Sequence, residues 1–154
     1  MRSAEFLRKE AERYGVELFA VSALVENDGK ILFLKKIPSD NSEELIVLPN
    51  GRVEFGETLV SSLKKKFQKN FNLKVEKIHS FVESHDYSNA TGRKIREFVF
   101  KVDVEDLKDL DISLFDYTNY LYLDPISDIS EFDNLSIPYG LKKVVDKYIF
   151  NKKN

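Results

Sequence analysis

The 154-residue sequence contains no cysteine and no tryptophan. Without cysteine the chain can form no disulfide bond, no thiol nucleophile and no cysteine-based zinc site, and this composition suits a reducing compartment. The missing tryptophan is offset by 12 phenylalanines and 7 tyrosines, which supply bulky side chains for a hydrophobic core. These absences leave carboxylates, histidines, lysines and arginines as the groups that can carry chemistry.

The sequence also has little net charge and no long hydrophobic run. The formal net charge is -2, so no global basic field attracts nucleic acid or an anionic membrane, and any positive site must be a local patch. No segment approaches the roughly 18 consecutive apolar residues of a membrane span. Residues 1–17 are charged throughout and lack the apolar core of a signal peptide. We therefore expect a cytoplasmic protein with no membrane or nucleic-acid partner.

The length and composition predict one globular domain over residues 1–154. Apolar residues make up 42% of the chain and charged residues 32%, which are ordinary values for a soluble domain. A chain of this length can bury roughly 70% of the surface that it exposes when unfolded. No repeat or linker divides it, and nothing in the sequence indicates an oligomeric state.

The first third of the chain predicts a helix and a hairpin. Residues 1–15 form the N-terminal helix, with apolar residues at helical spacing and Gly15 as its end. Residues 16–25 and 31–34 are apolar on successive positions and flank the turn signal Asn27-Asp28-Gly29, which predicts a hairpin. Because both arms are apolar on successive residues, we expect each face of this sheet to be covered by helices.

The remainder predicts alternating strands and helices. A polar loop over residues 38–44 leads to an apolar run at 45–48, and Thr58 is a suitable N-cap for an amphipathic helix from Leu59 to about Phe71. Strands are expected at residues 74–83, 95–104 and 117–123, with a polar hairpin loop over 85–94. Pro125 opens a short helical turn, and residues 137–150 form a C-terminal helix.

Residues 48–75 carry the most specific pattern in the sequence. Within LPNGRVEFGET, Gly51 is followed six positions later by Glu57, and the apolar residues Phe67 and Leu73 come further on. This arrangement resembles the Nudix box, G-x5-E-x7-R-E-U-x-E-E-x-G-U, in which U is apolar. The first half of the pattern matches fully.

The second half departs from the pattern at its charged positions. Lys65 stands in place of the arginine, Lys66, Lys69 and Asn70 in place of three glutamates, and Asn72 in place of the last glycine. Residues 65, 66, 69 and 70 thus carry a formal charge of +3, where the family pattern carries -2. The resemblance is to a degenerate Nudix box.

The resemblance implies an α/β/α sandwich around a central mixed β-sheet. It also implies a pyrophosphohydrolase that acts on a nucleoside diphosphate linked to a second group, with Mg²⁺ as its cofactor. Glutamates at positions 66, 69 and 70 would converge on one helix face, and Mg²⁺ prefers such oxygen ligands. Lysines there repel a divalent cation, so we expect no metal binding by this helix in the family's manner.

Three interpretations follow from the reversed charge. In the first, the protein binds the phosphates of a nucleotide directly without hydrolysing it, through Gly51, Lys65, Lys66, Lys69 and Asn70. In the second, it is an active hydrolase with Glu57 and Glu54 as catalytic candidates and with Mg²⁺ held by carboxylates outside those positions, chosen from Glu54, Glu57, Glu83, Asp86 and Glu97. In the third, it is a scaffold for protein contacts whose lysines are only solvated.

Several of these residues also have plain structural interpretations. Gly51 and Gly56 are turn glycines that would require positive φ, and Glu57 can support the N-terminus of the helix. We expect His85 and Glu97 to lie at the surface. The tyrosines that could stack on a base are more often used for packing; they are Tyr87, Tyr117, Tyr120 and Tyr122.

Overall fold

A computed structural model describes residues 4–37, 44–89, 91–124, 126–128 and 137–153. The predicted loop over 38–44 and the turn at Pro125 lie largely outside these ranges. The helices are α1 (Ala4–Arg13), α2 (Leu59–Phe71) and α3 (Tyr139–Lys153), with a 3-10 turn at Leu107–Asp109. The strands are β1 (Leu18–Leu24), β2 (Glu26–Asn27), β3 (Lys30–Lys36), β4 (Leu45–Val47), β5 (Asn50–Arg52), β6 (Val75–Ser88), β7 (Lys94–Val104) and β8 (Tyr117–Leu123).

The strands within the described ranges form two four-stranded sheets. The first is mixed and has the order β5-β1-β7-β6, in which β1 runs parallel to β7 and antiparallel to β5. The second is antiparallel, with β3 pairing with β2, β4 and β8. The central mixed sheet agrees with the fold class expected from the sequence.

Helices cover both faces of the mixed sheet. On one face, Leu7 of α1 and Phe67 of α2 belong to the same buried cluster as Val21 of β1. On the other face, Val144 of α3 packs in a cluster with Val99 of β7. The successive apolar residues of β1 are therefore buried from both sides, as the sequence predicted, and the three helices and the sheet form the expected sandwich.

The predicted hairpin between residues 16–25 and 31–34 is wrong in its pairing. The turn at Asp28-Gly29 joins β3 to the short strand β2, with Glu26 opposite Ile31. Strand β1 instead pairs with β5 and β7 in the other sheet. The turn chemistry was identified correctly, but a parallel partner distant in sequence gives β1 a longer ladder than the adjacent strand would.

The remaining elements differ from prediction mainly at their ends. Helix α2 has the predicted bounds, with Thr58 as its N-cap in a reciprocal capping box with Ser61. Strand β6 continues to Ser88, because its ladder with β7 extends through the polar residues, so the predicted loop over 85–94 is shorter. Helix α3 is shifted by two to three residues towards the C-terminus relative to 137–150. In the described part of the chain, no helix combines the length and apolar character that a membrane span needs.

Candidate functional site

A cleft of about 530 Å³ lies beside the N-terminal loop of α2 and the segment that precedes β8. It is lined by Lys36, Asn50, Gly51, Arg52, Glu54, Lys66, Lys69, Asn70, Leu114, Phe115, Asp116 and Tyr117. The Nudix-like segment therefore opens onto the cleft. Three of the five altered positions, 66, 69 and 70, line it together, as their i, i+3 and i+4 spacing on α2 predicts.

Gly51 lies directly against the side chain of Lys66. A Cβ atom at Gly51 would stand 2.7 Å from Cβ and 2.8 Å from Cγ of Lys66, which is closer than any real contact. The expectation of a positive φ at Gly51 is wrong, because among these two glycines only Gly56 takes one, at +83°. Gly51 is required for space rather than for backbone conformation.

The ammonium group of Lys66 forms an ion pair inside the cleft. Its Nζ donates to Oε1 of Glu54 at 2.7 Å, and its side chain is 9% exposed whereas that of Glu54 is 60% exposed. The hydrogen bond from Lys66 lowers the pKa of Glu54 below its usual value, and the positive charge of Lys66 adds to the effect. A buried lysine ammonium group requires a partner of opposite charge, and Glu54 supplies it.

Glu57 closes the loop that leads into α2. Its Oε1 accepts hydrogen bonds from the backbone N–H of Glu54 at 2.8 Å and from Ser62 Oγ at 3.2 Å. Its Oε2 is 3.3 Å from Nζ of Lys65, whose side chain is 62% exposed. The bond from the backbone of Glu54 is the largest cause that lowers the pKa of Glu57. Lys65 does not line the cleft, in contrast to the other predicted phosphate-binding residues, which are Gly51, Lys66, Lys69 and Asn70.

The cleft carries more positive than negative charge. Among the described residues, its lining holds Lys36, Arg52, Lys66 and Lys69 against two carboxylates, those of Glu54 and Asp116. Within the described ranges, only Lys66 of these four cations forms a salt bridge. The other three are exposed, and the described lining carries a formal charge of +2, from four cations and two carboxylates.

One wall of the cleft is apolar. Leu114 and Phe115 are 54% and 50% exposed, respectively. The ring of Phe115 packs edge-on against Tyr117 at 6.3 Å, and Tyr117 packs against Phe71 of α2 at 5.7 Å. Burial raises the pKa of Tyr117 to about 12. Of the four tyrosines proposed to stack on a base, only Tyr117 lines the cleft.

Glu97 is buried on the α3-facing side of the mixed sheet, the side away from α1 and α2. The expectation that Glu97 would be exposed is wrong: it is 6% exposed, and Oε2 accepts from Ser22 Oγ at 3.2 Å and lies 2.9 Å from His85 Nε2. His85 is not at the surface either, since its side chain is 12% exposed and its ring contacts Gly140 of α3. The alternation of β7 places Glu97 beneath α3, where polar partners satisfy it.

The two other candidate carboxylates form ion pairs along β6. Glu83 accepts from Lys147 of α3 at 2.7 Å. Asp86 accepts from Arg96 at 2.7 and 3.0 Å and is 3.3 Å from Lys94. These pairs stand near a groove between β6 and α3, away from the residues that line the cleft. The five carboxylates named as metal candidates are thus dispersed over both sides of the sheet.

Comparison with solved structures identifies the architecture. The chain is similar to a Nudix hydrolase from Nitrosomonas europaea, with a TM-score of 0.68 and 18% identity over 88% of this chain and 90% of that one. It is also similar to the MutT protein of Methanosarcina mazei Go1, with a TM-score of 0.71 and 18% identity over 89% and 96%. An Ap4A hydrolase from C. elegans gives a TM-score of 0.68 and 16% identity over 89% and 98%.

The chain has the Nudix fold. This conclusion rests on structure, because no family model matches the sequence and no curated protein is significantly similar to it. Within this fold the segment that resembles the Nudix box forms β5, the loop after it and helix α2. Asn72, which replaces the last glycine, takes the left-handed conformation at φ 54° and caps α2, and asparagine tolerates this conformation better than most residues.

The residues of the Nudix-like segment do not fit the magnesium ion that the fold implies. In the described part of the chain, no group of three or more histidine or carboxylate side chains is arranged to hold a metal ion. At the converging positions the cleft offers two ammonium groups and one amide. Its nearest carboxylate, Glu54, is bonded to one of those ammonium groups. A dication there would replace that ion pair and face Lys69.

Sequence patterns missed several residues that line the cleft. Arg52 directly follows Gly51, so its proximity to the Nudix-like segment was a usable signal. Lys36 comes from the end of β3, and Leu114, Phe115 and Asp116 come from the segment before β8. No local pattern marks these four, because tertiary packing alone brings their segments to the cleft.

Proposed function

We propose that this Nudix-fold protein binds a nucleoside diphosphate, or a nucleoside diphosphate linked to a second group, and hydrolyses it weakly or not at all. The observation that supports the proposal is the cationic lining of the cleft. By the resemblance to the Nudix box, Lys66 and Lys69 stand where that family has glutamates. Phosphate oxygens would contact Lys69 and Lys66 as point charges and Arg52 through its planar fork.

The shape of the cleft supports a ligand with two chemically different parts. Its volume of about 530 Å³ falls within the range of small-molecule sites. Leu114 and Phe115 present an apolar surface next to the cations, and the face of Phe115 suits a flat base. One solved structure of the same fold is named an Ap4A hydrolase, which makes nucleotides the first ligands to test.

The loss of hydrolysis follows from the carboxylates. Glu54 and Glu57, the catalytic candidates, form ion pairs with Lys66 and Lys65. Their lowered pKa values make each a weaker proton acceptor than an ordinary glutamate. Bound Mg²⁺ would supply an activated water and neutralise developing charge, but the box offers ammonium groups where that ion needs oxygen ligands.

Isothermal titration calorimetry tests the proposal directly. ADP and ADP-ribose are titrated into the protein with excess EDTA and, separately, with Mg²⁺. We expect binding in EDTA and at most slow turnover in Mg²⁺. The variant Lys69→Glu should reduce ADP affinity at least tenfold, since it reverses one charge within the cleft. Lys64→Glu makes the same charge change on an exposed residue of α2 outside the cleft lining and should alter affinity little.

Two outcomes would overturn the proposal. Rapid hydrolysis that EDTA abolishes would favour an active hydrolase with carboxylates outside the altered positions. Absence of binding to any nucleotide, with or without Mg²⁺, would favour a scaffold that acts through protein contacts.

A further inference from the structure

The loop between β5 and α2 places one carboxylate inside the cationic cleft. Glu54 Oε1 lies 2.7 Å from Nζ of Lys66, and both residues line the cleft. The Glu54 side chain is 60% exposed and that of Lys66 is 9% exposed, so the carboxylate approaches the ammonium group from the solvent side. Glu54 therefore occupies the position from which an anionic ligand would reach Lys66.

The two partners differ in their freedom to move. The stem of Lys66 is held against Gly51, where an added Cβ would meet its Cβ, Cγ and Cδ at 2.7, 2.8 and 3.5 Å. Glu54 lies on an exposed loop, beside the fully exposed Phe55 and two residues before Gly56. Glu54 can move out into water when an anionic ligand replaces it as the partner of Lys66, whereas the ammonium group of Lys66 stays in the cleft.

We infer that Glu54 is an internal competitor of the ligand, which must displace its carboxylate from Lys66 in order to bind there. The inference rests on the proposed function, because it concerns the same cleft. A ligand with a single carboxylate would replace an equivalent contact and gain little. A ligand with adjacent phosphates gains more, because it contacts Lys69 and Arg52 while it replaces Glu54. Glu54 therefore determines which anions the cleft retains.

The charge state of Glu54 supports this role. The hydrogen bond from Lys66 lowers the pKa of Glu54, so its carboxylate is ionised at neutral pH and competes with the ligand under all ordinary conditions. Asp116 provides the comparison, since it also lines the cleft but forms no salt bridge with a described residue. Removing its charge changes the electrostatic potential of the cleft without releasing a lysine.

A double-mutant cycle on ADP binding, measured by calorimetry in EDTA, tests the inference. The proteins are wild type, Glu54→Gln, Lys66→Met, the double variant and Asp116→Asn, each checked by thermal melting. Lys66→Met keeps the buried stem and removes the charge. We expect Glu54→Gln to raise ADP affinity about two- to fivefold. In the Lys66→Met background, the same change should raise affinity no more than Asp116→Asn does.

The outcomes separate this inference from the proposed function. If wild type binds ADP and Glu54→Gln binds it no more tightly, the internal competition is wrong and the proposed function stands. An equal gain in ADP affinity from Glu54→Gln in the wild-type and Lys66→Met backgrounds would also overturn the inference, because that result shows a general charge effect. Binding by Glu54→Gln alone would support strong competition. If neither protein binds ADP, both proposals fail.

Discussion

A side chain on Gly51 would put its Cβ atom 2.7 Å from the Cβ atom of Lys66. Strand β5 and the second turn of α2 therefore lie in close contact, and the side chain of Lys66 lies directly against Gly51. This contact joins the two halves of the Nudix-like segment, and it fixes the direction in which Lys66 enters the cleft.

Gly51→Ala should destabilise the protein by about 1–3 kcal/mol, because the added methyl group forces α2 or β5 to shift. Chemical denaturation measures this change. Gly56 provides a control for the alternative cause, which is backbone conformation, since it has positive φ but open space around it. Asparagine tolerates positive φ, so Gly56→Asn should cost less than Gly56→Ala. Gly51→Asn should cost at least as much as Gly51→Ala, and the reverse order would show that conformation rather than space limits position 51.

The combined substitution Lys66→Glu, Lys69→Glu and Asn70→Glu should create affinity for Mg²⁺. These side chains converge on the cleft, and three carboxylates there would supply the oxygen ligands that the ion prefers. Calorimetry with MgCl₂ should detect binding by the triple variant. The matched control Lys64→Glu adds a carboxylate to the same helix outside the cleft. If the triple variant gains no affinity, the assignment of family positions to these residues is wrong.

Asn72→Ala should destabilise the protein by about 1 kcal/mol. The change puts a residue with a Cβ atom and no local hydrogen bond at φ 54°, a conformation that alanine disfavours. It also removes the hydrogen bond from Nδ2 to the carbonyl of Asp109, at 3.2 Å. Asn72→Gly restores the residue of the family pattern and should retain more stability in thermal unfolding than Asn72→Ala. Equal losses in the two variants would mean that the side-chain hydrogen bonds matter more than φ.

Glu97→Ala should destabilise the protein by about 2–3 kcal/mol, because it leaves the polar groups of Ser22 and His85 buried without their partner. Glu97→Gln keeps an oxygen acceptor of similar size, so its loss should be smaller. Urea denaturation at neutral pH compares the two. An unchanged midpoint for Glu97→Ala would show that water replaces the carboxylate and that the site is less enclosed than its 6% exposure indicates.

The ion pair of Asp86 with Arg96 should contribute stability that depends on pH. Hydrogen bonding to Arg96 lowers the pKa of Asp86 below 3.8, so the folded state holds its charge at pH values where the unfolded chain takes up a proton. The contribution is therefore present above the unfolded pKa and is lost as the pH falls through the folded one. Asp86→Asn should cost about 1 kcal/mol or less at pH 7, because the pair is partly exposed.

The difference in stability between wild type and Asp86→Asn should begin to shrink as the pH falls below about 4 and should disappear below the lowered pKa of Asp86 in the folded protein. Glu105→Gln serves as the control, since Glu105 and Lys74 form a pair in which both side chains are mostly exposed. That variant should differ little from wild type at any pH. A constant difference between wild type and Asp86→Asn across the pH range would show that packing, not charge, stabilises position 86.

Local patterns predicted most secondary structure and the region of the site. The cap at Thr58 and the apolar face of α2 are encoded within 14 residues, so the helix bounds followed from the sequence. Pairing between strands was harder, because the turn at Asp28-Gly29 indicates a hairpin but not which strand continues it. The burial of Glu97 was likewise not predictable from local patterns. Alternation along β7 assigns residues to two faces of the sheet, and only the position of α3 shows that both faces are covered.

The resemblance in residues 48–75 located half of the cleft. It gave the convergence of positions 66, 69 and 70, since helical spacing fixes that directly. It could not give Lys36, Phe115 or Asp116, which reach the cleft only through the packing of distant segments. It also could not show that Lys65 points elsewhere, towards Glu57. The charge of the cleft depends on all the segments that line it, and the motif in residues 48–75 describes only one of these segments.

The parallel ladder between β1 and β7 has a consequence for how the chain reaches its native state. Leu18 pairs with Ile95, so the central strand finds its long partner only after more than half of the chain has been synthesised. Until then the apolar residues of β1 lack the cover that they have in the folded protein. Contacts between such distant segments slow folding and prolong the exposure of aggregation-prone strands.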